Sequence, residues 1–194
     1  MPRQVAADDL QVLAAVLARA FEQDAATRWL LPDDESYMGR ATRFYELALR
    51  EDLPRGGCWT TDDRQAVALW EPPGDWGFAQ ERLPEVLPEL QDIYQDDFQR
   101  VAESFATMVE RHPQDPHWYL WIIGVDPARQ GRGHGAQLLD AMLERVDAEG
   151  MPAYLEASTP RNARLYERHG FETTEIWSFP GGGPEIAGMW REPR

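Results

Sequence analysis

The chain has 194 residues, 43% of them hydrophobic, and a formal net charge of −15. That size and composition suit one globular domain with a sizeable core, and the acidic balance argues against a nucleic-acid partner, whose phosphates demand a basic footprint. A single cysteine, Cys58, excludes an internal disulfide and a cysteine-based zinc centre, and no stretch reaches 18 apolar residues, so a cytoplasmic protein without metal or membrane partner is expected.

In chain order, Asp8-Asp9 opens a helix running to about Glu22, because Leu10, Leu13, Leu17, Ala20 and Phe21 recur at spacings of three and four. Residues 23 to 36 read as a connection whose Trp29, Leu30 and Leu31 either line a pocket or plug the core. A second helix covers Ser36 to Arg50, with Ala41, Phe44, Tyr45 and Ala48 in its apolar stripe. Cys58-Trp59-Thr60 and Ala66 to Trp70 form two strands around the polar turn Asp62-Asp63-Arg64. Residues 75 to 84 are irregular. A long helical region then runs from about Glu85 to Arg111, with a break expected near Pro88. This region is either a flap over a pocket or a plain cover for the sheet.

His117 to Val125 is apolar, β-branched and aromatic, and reads as a central strand ended by Asp126-Pro127. Gln130, Gly131, Arg132, Gly133, His134 and Gly135 follow, and an amphipathic helix runs from about Gly133 to Glu149. A strand, a glycine-rich basic loop and a helix start make an anion site. First-turn N–H groups lack intrahelical partners, the helix dipole favours negative charge, and glycines let a phosphate approach the backbone. Arg129 and Arg132 are placed to add charge-assisted bonds. The spacing is neither the Walker pattern nor the G-x-G-x-x-G dinucleotide fingerprint. Ala153 to Glu156 is a short strand, and the strand–helix–strand order implies a locally parallel pair. Asn162 is expected to cap a short helix holding Leu165 and Tyr166, and two last strands cover Phe171 to Phe179 and Glu185 to Arg191.

The segment Gln130-x-x-Gly133-x-Gly135 resembles the acetyl-CoA pyrophosphate loop of the GNAT superfamily of N-acetyltransferases. Tyr154-Leu155-Glu156 with Asn162 and Tyr166-Glu167-Arg168-His169-Gly170-Phe171 resembles the Asn…Tyr-x-x-x-Gly-Phe segment that often ends that family's core. Together the two matches cover residues 117 to 171. Weaker features, among them His117-Trp118-Tyr119-Leu120 and Arg161-Asn162, look most like puromycin N-acetyltransferase-like enzymes.

The resemblance implies one α/β domain over residues 1–194. Its GNAT fold would be a twisted, mostly antiparallel sheet flanked by helices, with splayed parallel strands at the cofactor site. It implies acetyl-CoA as cofactor and direct transfer of the acetyl group to the primary amine of a small molecule. A protein or peptide acetyltransferase and a non-catalytic acyl-CoA-binding module are the alternatives; a monomer or homodimer is expected. By the same resemblance, backbone groups of Ile123, Gly124 and Val125 meet the pantetheine arm. Gln130, Gly131, Arg132, Gly133, His134, Gly135 and Ala136 receive the pyrophosphate, and Asn162 and Tyr166 also touch the cofactor.

Tyr166 is the expected general acid, since a tyrosine of ordinary pKa ~10 keeps its proton at neutral pH. Glu156 is the first candidate for the base, with Asp126 and His117 as others. Trp29, Phe44, Trp70, Tyr94, Trp118 and Trp177 are the candidates for an aromatic acceptor wall, though core packing claims most tryptophans. Cys58 lies outside both motifs, so a covalent acetyl-cysteine is not expected.

Overall fold

A computed structural model describes residues 1–194. The strands are β1 (Pro2–Gln4), β2 (Cys58–Thr61), β3 (Ala66–Glu71), β4 (Trp118–Val125), β5 (Ala153–Ala157), β6 (Glu172–Ser178) and β7 (Glu185–Arg191). They form one sheet in the order β1-β2-β3-β4-β5-β7-β6. Every neighbouring pair is antiparallel except β4 and β5. Between the strands lie α1 (Leu10–Ala20), α2 (Ala25–Leu30), α3 (Asp34–Asp52), α4 (Leu83–Tyr94), α5 (Phe98–Arg111), α6 (His134–Ala148) and α7 (Pro160–Arg168).

Alternation along β3 divides the core in two. Val67 and Leu69 join the apolar cluster built with α1, α3, α4 and α5, whereas Ala66, Ala68 and Trp70 join the cluster built with α6 and Tyr166 of α7. Both faces of the central strands are therefore buried, which is why β3 and β4 read as continuous apolar runs.

Four local expectations change. The stretch from 23 to 36 contains α2, which starts where the Asp24 carboxylate accepts the Thr27 N–H at 2.9 Å. The long helical region breaks at Gln95, with φ of 49°, and not at Pro88, which lies inside α4. A proline so near a helix start forfeits one bond in the first turns, whereas a left-handed residue ends the helix outright. Thr159, not Asn162, caps α7: its Oγ1 accepts the Asn162 N–H at 3.1 Å, and Pro160 fills the first helical position. The edge strand β1 was not expected; its three residues are too few for a period to register.

One feature of the sheet makes room for a site. β4 and β5 pair only from Trp118 to Leu120 against Ala153 to Leu155. Beyond that point β4 continues to Val125 and β5 to Ala157 without pairing, so the two strands part. The register of β3 on β4 also slips: Trp70 faces Leu120 and Leu69 faces Ile122, which leaves Trp121 as a bulge. The slip puts Trp121 and Ile122 on the same α3–α5 face, where the Trp121 ring meets Phe44 and Phe78 edge-on, with centroids 6.3 and 5.6 Å away.

Gly124 serves the packing here. A Cβ at that position would stand 2.6 Å from Leu17 Cδ2 and 3.2 Å from Ala20 Cβ, so its absence lets α1 press against β4.

Candidate active site

The loop after β4 is a backbone cradle. Gly131 and Gly133 have φ of +75° and +84°, and a Cβ on either would meet nothing within 4 Å. Gly133 is the residue from which α6 starts, and its carbonyl accepts the Gln137 N–H at 2.9 Å. The N–H groups of the first turn of α6 thus face open space with no intrahelical acceptor. Gln130 Nε2 reaches back to donate to the Val125 carbonyl at 3.3 Å, tying the loop to the strand end. The Asp126 N–H bonds to Gln65 on the β3 side. By the alternation of a strand's polar groups, the N–H and C=O of Ile123 and Val125 then point away from β3, toward the unpaired edge.

A cavity of about 680 Å³ occupies this edge and loop. Ile123, Gly124, Val125, Gln130, Gly131, Gly133, His134, Gly135, Ala136, Asn162 and Tyr166 all border it. Arg132 does not; it is exposed outside the cavity. The basic rim comes instead from Arg129 and from Arg161, Arg164 and Arg168 of α7. Four guanidinium groups around one cavity make a locally positive site in a chain of net charge −15. The open glycine backbone, the free helix N-terminus, the arginine rim and the unpaired strand edge fit a ligand with a phosphate-bearing head and an extended amide arm, as acetyl-CoA has.

Tyr166 stands on α7 with its ring packed edge-on to Phe171 at 6.1 Å, and only 6% of the residue is exposed. Burial, and then the negative charge of Asp24, raise its hydroxyl pKa above the usual tyrosine value, so it holds its proton throughout the neutral range. Asp24 accepts from the Ser158 hydroxyl, which links the start of α2 to the end of β5 beside the same cavity. Asp24 was not singled out from the sequence; lying just before a short unrecognised helix, it carried no periodic signal.

A second cavity of about 480 Å³ lies on the α3–α5 face. Residues of α4 and α5 cover it, and Trp76, Phe78, Tyr119, Trp121 and Glu156 complete the wall. The covering role left open for residues 85 to 111 is thus fulfilled by both helices. Of the six aromatics considered for an acceptor wall, only Tyr94 borders this cavity. Trp70 and Trp118 pack instead on the α6 face, and Trp177 packs with Phe179 and Ile186. Trp76 and Phe78 went unnoticed because they sit in the aperiodic stretch. That stretch is nonetheless fixed: the Arg55 guanidinium binds Asp52, Glu71, Asp75 and the Gly77 carbonyl, and the Glu71 carboxyl accepts the Gly77 N–H.

Glu156 is the one acidic group in this wall. Its Oε2 accepts from the Tyr119 hydroxyl at 2.5 Å, while Oε1 is buried with no partner. Burial pushes its pKa up to about 7, against the opposing pull of the Tyr119 and Tyr154 hydroxyls. The other two base candidates are engaged elsewhere. Asp126 caps the turn after β4 by accepting the Ala128 N–H and pairs with Arg19 at 2.8 Å. Burial works to raise its pKa, but these partners outweigh it and hold the carboxyl below its usual value. His117 is buried, borders neither cavity, and burial lowers its pKa. Both cavities reach β4: Trp121 borders the second and Ile123 the first.

Residues 87–171, which include the second half of α4, the parted strands and the cradle, match the acetyltransferase (GNAT) family model. Over this stretch the chain is similar to GNAT N-acetyltransferases. The chain is 28% identical over 180 residues to an uncharacterized N-acetyltransferase of Schizosaccharomyces pombe, a match covering 87% of this chain and 73% of that protein. The structure described as histone acetyltransferase HPA2 and related acetyltransferase, from Corynebacterium glutamicum, superposes with a TM-score of 0.75 at 23% identity, covering 100% of this chain and 96% of the other. Arylalkylamine N-acetyltransferase 2 from Aedes aegypti gives a TM-score of 0.66 at 15% identity, covering 100% and 99%. The chain also resembles mycothiol acetyltransferases, but it spans only 36% of the length of the one from Thermomonospora curvata. The mixed sheet with one parallel pair is the fold these structures share with it.

Proposed function

We propose that this protein moves the acetyl group of acetyl-CoA directly to the primary amine of a small molecule with an apolar body. The observation that carries this reading is the second cavity: a covered, mainly apolar chamber with a single carboxylate, which reaches β4 as the first cavity does. Apolar walls favour an uncharged body by removing its surface from water, and the lone carboxylate favours one cationic nitrogen. The Aedes neighbour is named for arylalkylamines, and a further structural neighbour from Drosophila melanogaster forms N-acetylagmatine. Both are small amines, in keeping with the reading. The puromycin-like resemblance rests on the sequence features alone, and it points the same way, to a compact amine.

In this reading the Gly131–Ala136 backbone and the arginine rim hold the phosphates, and the edge groups of Ile123 and Val125 hold the pantetheine arm in line with the sheet. Acetyl-CoA bound there supplies an activated acetyl carbon and a thiolate leaving group. Glu156 Oε1 takes a proton from the incoming ammonium or amine, a task suited to a carboxylate with a pKa of about 7. The Tyr166 hydroxyl gives a proton to the departing sulfur. No covalent enzyme intermediate is needed, and Cys58 is buried in the core.

A panel of aryl- and alkylamines, polyamines and peptides, scored by release of free coenzyme A, tests the proposal. Turnover confined to amines with one charge and an apolar body is the expected result; turnover of peptides alone would overturn it. Tyr166→Phe is expected to lower kcat by about 10² with little change in coenzyme A affinity, because the lost hydroxyl acts on the leaving group and not on binding. An unchanged kcat would remove that role.

A further inference from the structure

His112 ends α5 and is 3% exposed. Its ring stacks on Trp76 with centroids 3.7 Å apart and meets Tyr119 edge-on at 4.8 Å, so it is fixed in the wall of the second cavity. Behind it stands His117, whose Nδ1 lies 2.6 Å from the Asp115 carbonyl. A carbonyl only accepts, so that nitrogen carries a proton. Burial drives both rings toward the neutral form, His112 to a pKa of about 3. A neutral His117 protonated on Nδ1 has a bare Nε2, and this atom faces His112 Nε2 at 3.1 Å. The contact is a hydrogen bond only if His112 donates from Nε2. His112 is then left with a lone pair on Nδ1, and no donor of the protein meets it.

The cavity wall therefore holds two acceptors of different kinds. Glu156 is the charged one. His112 Nδ1 is neutral, and its tautomer is fixed from behind by His117. Among the other polar groups of the wall, the Tyr119 hydroxyl is given to Glu156, Gln80 is exposed, the Trp76 and Trp121 indoles can only donate, and Tyr94 adds a hydroxyl that can do either. An acceptor buried in an apolar wall favours a ligand that brings a donor to it, and discriminates against the same ligand without one.

Building on the reading of this cavity as the amine site, we infer that His112 is a specificity-determining residue: it accepts a hydrogen bond from a hydroxyl or ring N–H carried on the apolar body of the acceptor, away from the reacting amine. His117 acts through it as a positioning residue.

The test compares matched amines that differ by one hydroxyl, such as phenethylamine and its ring-hydroxylated isomers, and alkylamines with their terminal alcohols. The wild-type protein is expected to show kcat/KM at least about 10-fold higher for one hydroxylated isomer than for its parent. His112→Phe is expected to reduce that ratio to near one while the parent amine is still turned over. A wild-type protein that treats every pair alike, or a preference that survives His112→Phe, would overturn the inference while leaving the amine pocket intact. Failure of every member of every pair, with peptides accepted, would overturn the pocket reading and the inference together. A second readout needs no variant and no turnover. Nitrogen-15 NMR of the histidine rings is expected to find His112 Nδ1 unprotonated at neutral pH, and a protonated Nδ1 would refute the assignment.

Discussion

Glu156→Gln is expected to lower kcat/KM by about 10² to 10⁴ at pH 8 and to make the protein more resistant to heat at the same pH. The first effect follows from its proposed role as the base. Glutamine keeps the shape and the bond from Tyr119 but cannot take a proton. The wild-type rate should rise as pH passes about 7, where Glu156 loses its proton, and the variant should lack that limb. The second effect follows from linkage. The folded protein holds this proton more tightly than the unfolded chain, with a pKa of about 7 in place of 4.5. Stability is therefore full below about 4.5, falls as pH rises to about 7, and is flat beyond, because the buried carboxylate must then be carried charged. The neutral amide avoids that penalty. Rate profiles between pH 5 and pH 9 and melting curves at both ends check the two halves separately. A variant that is slower but no more stable at pH 8 would mean that Oε1 is solvated in the free protein.

Gly133→Glu is expected to reduce the affinity for coenzyme A by more than about 10², and to leave a folded protein. A side chain here meets nothing within 4 Å, so no core contact is lost. The cost to the fold is confined to a non-glycine residue at φ of +84°, roughly 1 to 3 kcal/mol. The cost to binding is larger, since a carboxylate placed at the start of α6 occupies and repels the site of a phosphate. Calorimetric titration with coenzyme A, alongside circular dichroism, separates the two. Normal binding by the variant would place the phosphates elsewhere.

Much of the proposed donor side was legible in the sequence because its chemistry is local. Gly131, Gly133 and Gly135 lie within a few positions of each other, and the same stretch supplies the strand end, the turn and the helix start that give them meaning. Tyr166 and Asn162 lay on a second compact segment with recognisable spacing. The amine side was far less legible. Its wall is assembled from a loop, two helices and two strands that lie up to 80 positions apart, from Trp76 to Glu156. Nothing local distinguishes Phe98 or Phe105 from core residues on an amphipathic helix. Trp121 escaped notice for another reason: it sits inside a continuous apolar run, and the bulge that puts Ile122 on the same face leaves no clean alternation to mark it. Glu156 was a candidate through its position at a strand end, but its perturbed pKa depends on burial, Tyr119 and Tyr154, which no motif records.

The division of the core into two faces has a bearing on how such a protein changes over time. In the proposed reading the donor is gripped by a cradle and a strand edge backed by α6 and α7, whereas the amine is enclosed by α4, α5 and the Trp76 loop on the reverse side. Only β4 is common to both. Exchanges such as those that reshape Leu87, Leu90 or Phe105 can thus retune which molecule is modified without disturbing the grip on the acyl carrier. Selectivity can drift in this architecture while the energy-rich half of the reaction stays fixed.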